Sequence, residues 1–291
     1  MRKIITLLMV LSFYNLAVAQ RNDTQAGIYN IGLGSLTGGI GAMINKKPDG
    51  KLGKVFVKGL WQGALGGYAI FESKRMVRLI GRNNELGFAW PSKILNAAGT
   101  SIVENAAANR NFYEKWHINY GFSRIELDVN DKVSVHYKVM PITLVFTIGI
   151  ALQTKFELGQ TLQTGQFVFS SNTKRWAETN SNAIAYPGNI VYKPGEPMFK
   201  NVIAHEIIHL YQSNDVNGFN AYLDKPYSYL SKNSGFFTTV NKWVYLDLNN
   251  ILQQRLYVLA NKNRVYYYDN YYEHEAGYYS NTIVEFAPYT P

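Results

Sequence analysis

No cysteine occurs in the 291 residues. That absence excludes a fold stapled by disulfides, thiolate metal ligands and a cysteine nucleophile. The chain also lacks an internal repeat, a low-complexity linker and any nucleic-acid-binding motif. Its basic excess, formally +9, is spread thinly, and Lys46, Lys47, Lys51, Lys54 and Lys58 form the densest group. Such a group suits anionic lipid or cell-wall polymer, and nucleic acid is not an expected partner. Past the first twenty residues, no apolar run reaches the ~20 residues of a membrane span.

Aromatic residues, by contrast, are abundant, with 22 Tyr and 15 Phe. A disordered chain would not carry this load. The N-terminus reads as an export signal: Arg2 and Lys3 precede an apolar stretch from Ile4 to Ala19, and Ala17-Val18-Ala19 offers a small-x-small cleavage site. Residues 1–19 are therefore expected to be removed, which lowers the formal charge from +9 to +7. An exported chain without cysteine fits a bacterial periplasm, cell envelope or extracellular space.

Three textures follow, and together they predict an α+β fold. Residues 20–112 form a glycine- and alanine-rich helical region, with helices expected over 31–44 and 55–71. Gly34 and Gly38 are four apart, as are Gly59, Gly63 and Gly67, which clears one helix face for close approach of another backbone. Two uses are open for this pair: tight packing inside the protein, or membrane or envelope contact through residues 31–71.

Residues 113–291 form the second domain, an expected antiparallel meander over 113–195 followed by a helical part over 196–291. Trp116, Ile118, Tyr120 and Phe122 alternate with polar residues, as do Val133, Val135, Tyr137 and Val139, and the apolar run Ile142 to Leu152 is read as part of the meander. His117 and His136 lie there and are read as structural. Helices are expected over 198–212 and 240–261, with a third after Val265 and a turn-rich loop over 213–238.

The chemistry concentrates in Ala204-His205-Glu206-Ile207-Ile208-His209. Four residues apart on a helix, His205 and His209 present two imidazoles to one ion. Glu206 lies beside them, placed to take a proton from an attacking water and pass it to a leaving amine. Zn2+ is the expected cofactor, because as a Lewis acid it acidifies water and polarises a carbonyl. A catalytic zinc needs a third protein ligand. Asp215 resembles the third ligand of the metzincin-like proteases, in which HExxH continues as xxGxxD, but it is a weak candidate, since Gln212 stands here in place of the glycine that turns that chain out of the helix. Tyr272-Glu273-His274-Glu275-Ala276 supplies better ones: Glu273, Glu275 and, more weakly, His274.

Here the sequence resembles the gluzincin metallopeptidases, whose later helix supplies a glutamate ligand in a pattern such as ExxAD. Glu273, three residues before Ala276, matches that glutamate, with Glu275 as the alternate. Gly277 replaces the acid that in the family orients the first histidine, which leaves the outer partner of His205 unassigned. His205 to Gln212 also reads HExxHxxQ, similar to bacterial predicted peptidases of this type. The likeness covers residues 202–212 and 270–276. It implies hydrolysis of a peptide or protein substrate, an edge strand near 189–193 to pair with it, and an oxyanion partner among Tyr271, Tyr272, Tyr278 and Tyr279. The rival reading is a metal-binding envelope protein without turnover.

Overall fold

The computed structural model describes residues 22–130, 132–171, 181–262 and 264–283. The expected export signal, residues 1–19, lies outside them. Helix α1 (Asp23–Ile44) opens on Asn22, whose side chain accepts a hydrogen bond from the Gln25 N–H at 3.0 Å. Helix α2 (Leu52–Asn83) closes on Asn84 in the left-handed conformation, and α3 (Ala89–Ala107) follows. α2 runs twelve residues beyond the expected end at Phe71, because Val77 and Ile80 continue its buried face.

The glycine lines meet inside the protein. A Cβ added to Gly34, Gly38, Gly59, Gly63 or Gly67 would come within 3.0 Å of the opposing helix backbone, closer than real Cβ atoms are found. Gly66 of α2 and Gly99 of α3 stand in the same relation. Each helical glycine costs about 0.8–1 kcal/mol relative to alanine, and the close backbone contact offsets it. Among the described residues, no helix is long and apolar enough to cross a membrane. Gly63→Ala should push α1 from α2 and destabilise by about 1–3 kcal/mol in urea unfolding. Gly32→Ala is the control, since a Cβ there meets nothing within 4 Å. Equal effects at the two positions would refute the packing role.

Strands β1 (Lys115–Tyr120), β2 (Ser123–Asp128) and β3 (Ser134–Val139) form an antiparallel meander, with Ile125 opposite Ile118 and Tyr137. The expected alternation is present, but the polar face is the buried one. His117, Arg124 and Glu126 point inward while Ile125, Val135 and Tyr137 are exposed. The reason is α3, which offers Glu104, Ser101 and Thr100 to this face. Arg124 pairs with Glu104 at 2.8 Å and Glu126 at 2.7 Å, and Lys115 reaches Glu126 at 2.7 Å. The His117 ring nitrogens lie 3.2 Å from Thr100 Oγ1 and 3.1 Å from Ser101 Oγ. His117 is thus structural, and His136 is exposed beside Ser134.

Burial first, then the Arg124 charge, push the His117 imidazole down to about 3. Burial alone would raise Glu104, but Arg124, His117 and Lys115 pull it down to about 2. Below pH about 6.5 the unfolded chain protonates this histidine while the folded chain does not. Its contribution is therefore complete above that pH and is lost on acidification toward pH 3. Asp215, described below, titrates in the opposite sense, so the measurement must be differential. The stability advantage of wild type over His117→Gln should shrink by up to about 1.4 kcal/mol per pH unit below 6.5. A pH-independent difference in urea midpoints would count against it.

The apolar run expected as strand is instead helix α4 (Pro141–Ala151). A run apolar at every position has no period to distinguish strand from helix. Proline opens it, and the Asp247 carboxylate caps it, accepting from the Ile142 and Thr143 N–H groups at 3.1 and 2.9 Å. The single meander over 113–195 is corrected accordingly: it ends at Val139. A second sheet joins β4 (Lys155–Phe156), β5 (Phe167–Ser170), β6 (Ala183–Tyr186) and β7 (Asn189–Tyr192) in the order β4-β5-β7-β6, with β5 and β7 parallel. Between β4 and β5 lies α5 (Leu158–Thr164).

The C-terminal part is helical, as expected, with shifted bounds. It comprises α6 (Phe199–Asp215), α7 (Asp224–Asn233), α8 (Gly235–Trp243), α9 (Asn249–Ala260) and α10 (Tyr271–Ser280). Short 3-10 turns cover Asn217–Leu223 and Tyr267–Asp269. The helix expected over 240–261 is broken because extended Val244 bridges Val139 and Asp247 leaves to cap α4. The loop expected over 213–238 is largely helical. One core surrounds α6: Ile203, Ile207 and Ile208 pack with Val77 and Ile80 of α2, Ile190 of β7 and Tyr279 of α10. Helices and sheets thus share a core, and the fold is α+β.

Candidate metal centre

Helix α6 buries an apolar side made by Ile203, Ile207 and Ile208, which fixes its rotation about its axis. His205, Glu206 and His209 then emerge toward α10 and β6. The two Nε2 atoms are 3.1 Å apart. Glu273, in the first turn of α10, brings Oε2 to 3.1 Å from His205 Nε2 and 3.3 Å from His209 Nε2. Bonds of about 2.0–2.1 Å at tetrahedral angles set neighbouring donors roughly 3.3 Å apart. The triangle fits that requirement, and His205, His209 and Glu273 form a group that could hold a metal ion.

Each donor is held from behind. Gln212 Oε1 lies 2.9 Å from His209 Nδ1, while its Nε2 donates to Glu275 Oε2 at 2.9 Å and to the Tyr272 carbonyl at 2.8 Å. His205 Nδ1 faces Thr282 Oγ1 at 3.2 Å, with Ser280 Oγ at 3.5 Å. The outer partner of His205, left unassigned by Gly277, is therefore a hydroxyl pair. An acid at position 277 would force Tyr268 and Ile283 to shift, because a Cβ there would come within 2.5 Å of the Tyr268 ring and 2.8 Å of Ile283. Tyr257 donates to Glu273 Oε1, while Oε2 is the oxygen that faces the two histidines.

The same geometry separates Glu273 from its rivals. Glu275, two residues on, points to the other side of α10, where its Oε1 meets Lys74 Nζ at 3.0 Å. Asp215 meets the same ammonium at 2.6 Å and is also turned away from the triangle. His274 is not part of the donor group. Burial opposes charge at His209, but the Glu273 carboxylate outweighs it and the imidazole is pushed up to about 9. Glu273 is correspondingly held well below the usual carboxylate range by the two histidines, against its own burial.

A cleft of about 510 Å3 opens over the centre, lined by Glu206, His209, Glu273, Tyr257 and Tyr267. One wall is β6, the edge strand of its sheet among the described residues; another is α9. The expected edge at 189–193 is corrected: β7 lies between β5 and β6, so its ladder is filled on both sides. Glu206 accepts a hydrogen bond from the Ala185 N–H of β6, and burial raises its carboxyl above the ordinary range despite the nearby histidines. Tyr271, Tyr272 and Tyr279 are buried outside the cleft, and Tyr278 donates to Asp23 at 3.0 Å. Tyr257 and Tyr267 line the cleft instead, and nothing in the sequence set these two apart from twenty other tyrosines. No protein-family model matches the chain, nor does any curated protein or solved structure.

Proposed function

We propose that the chain is an exported zinc-dependent metallopeptidase. The observation that carries this reading is the position of Glu206, which opens onto the same cleft as the donor triangle and abuts the edge of β6. Two imidazoles and one carboxylate are the donor set of peptidase-type zinc sites. Zinc held by His205, His209 and Glu273 would supply Lewis acidity to a water and to the scissile carbonyl. Among the described residues no strand pairs with the outer side of Ala183–Tyr186, and an extended peptide pairs there by main-chain hydrogen bonds to the groups that Glu206 does not engage. Glu206 takes the proton of the attacking water and returns it to the leaving amine. Its burial supports that role, since a raised carboxyl pKa makes a stronger base. Tyr257, whose hydroxyl donates to Glu273, steadies the carboxylate that would hold the zinc.

The purified chain should bind one zinc, and His209→Ala should lose it. The loaded protein should cleave a mixed peptide library at internal bonds, read by mass spectrometry. Absence of bound zinc would sink the reading altogether. Zinc without cleavage would leave the rival, a metal-binding envelope protein without turnover.

A further inference from the structure

Helix α2 has two unlike faces. Gly59, Gly63, Gly66 and Gly67 are buried against α1 and α3. Opposite them Val57, Trp61, Leu65 and Tyr68 are 60%, 50%, 42% and 50% exposed. At 100° per residue these four fall within an 80° arc, a continuous stripe of about 16 Å along the helix. Aromatic rings extend it sideways: Trp61 lies 6.1 Å from Phe112, which lies 5.2 Å from Tyr113, itself 48% exposed. Exposed aromatic and aliphatic residues in a line, on a helix whose other face is fully packed, are not needed for folding.

The charge beside the stripe indicates what covers it. Lys51 and Lys54 are exposed at the start of α2, and Lys58 is half-buried on the flank of the stripe. Lys46 and Lys47 stand in the preceding turn, and no acid occurs on α2 before Glu72. From Lys46 to Lys58 there are five lysines against Asp49 alone. Two copies joined by this face in an antiparallel or parallel pair would not meet a compensating acidic cluster on it. A bilayer with anionic headgroups meets both demands. Trp and Tyr sit well at the headgroup level, Val and Leu enter the acyl boundary, and lysines meet lipid phosphates.

We propose that the Val57–Tyr68 face of α2 docks the protein onto an anionic membrane surface, the helix lying in the interface without crossing it. The glycine face remains inside the protein, which separates this mode from insertion of the α1–α2 hairpin. The docking is independent of the metal centre and stands or falls apart from the peptidase reading.

The test uses the chain from Gln20 onward, which keeps every described residue. It is sedimented with vesicles of equal parts phosphatidylglycerol and phosphatidylethanolamine, and with phosphatidylcholine vesicles. Wild type should partition to the anionic vesicles and be released by salt. Trp61→Ser with Leu65→Ser should weaken partition by about tenfold or more per site. Lys54→Gln with Lys58→Gln should weaken it by about fivefold per lysine on anionic vesicles only. Unchanged melting temperatures in both pairs keep the comparison clean, and the lysine pair stands if the apolar pair fails to fold. The proposal is overturned if wild type ignores anionic vesicles, or if both pairs bind as wild type does. It is also overturned if ultracentrifugation shows a dimer that the same substitutions split, making a second copy the occupant.

Discussion

Glu206→Gln is expected to lower peptide hydrolysis by about 10²–10⁴-fold while the protein keeps its zinc, the range in which a positioned general base operates. The expectation follows from what the carboxylate touches. Glu206 is not part of the donor triangle, so its replacement leaves His205, His209 and Glu273 in place. The amide is the same size and its carbonyl can still accept from the Ala185 N–H. What the amide cannot do is accept a proton. The loss should therefore fall on kcat rather than KM, since the β6 edge proposed to pair with substrate is unchanged. Zinc content by mass spectrometry and steady-state kinetics on a cleaved peptide decide the matter. Retention of more than about a tenth of wild-type kcat would remove Glu206 from the chemistry and require another base.

The parts of this centre differed in how far the sequence revealed them, and the reason is distance along the chain. His205, Glu206 and His209 belong to one helix, so helical spacing alone places them on neighbouring positions of one surface. Glu273 and Glu275 were both open, because choosing between them requires knowing which side of α10 faces α6. Lys74, some 200 residues earlier, draws Glu275 to the far side, and no local pattern announces that pairing. A lysine within the buried stretch of α2 was nonetheless a signal, for a charge at such a place demands a partner.

The fold shows the same division. Helices with a period, and the β1–β3 alternation, were legible. The run 142–152 was not, being apolar at every position, and Asp247, which caps it, is more than a hundred residues away. Alternation in β1–β3 also gives two faces without saying which is inward. Glu104 on α3 settles that by drawing Arg124 into the interior. Likewise, a strand's sequence does not show whether both its neighbours are present, so β7 and not β6 was taken for the edge.

Lys74→Met should destabilise the protein by about 3–5 kcal/mol, the cost of leaving buried charge without its partner. Lys74 is fully buried and bonds Asp215 at 2.6 Å, Glu275 at 3.0 Å and Asn30 Oδ1 at 3.2 Å. Burial disfavours its charge, but the two carboxylates outweigh that and raise its pKa, so it stays an ammonium. Burial pushes Asp215 up to about 7 even with the lysine beside it. Without the lysine its carboxyl rises further. A raised carboxyl pKa means the folded chain holds a proton that the unfolded chain releases, so stability grows as pH falls. The penalty of Lys74→Met should thus be greatest above pH about 7 and shrink on acidification. Adding Asp215→Asn and Glu275→Gln should recover much of the loss, because the three groups act as one unit. Zinc affinity provides a second readout, since Glu275 holds Gln212, and Gln212 holds His209. Removal of such outer partners weakens metal binding by about 10–100-fold. A urea midpoint that Lys74→Met leaves near wild type at pH 8 would show that the carboxylates find another counterion, and the link from α2 to the metal centre would fall with it.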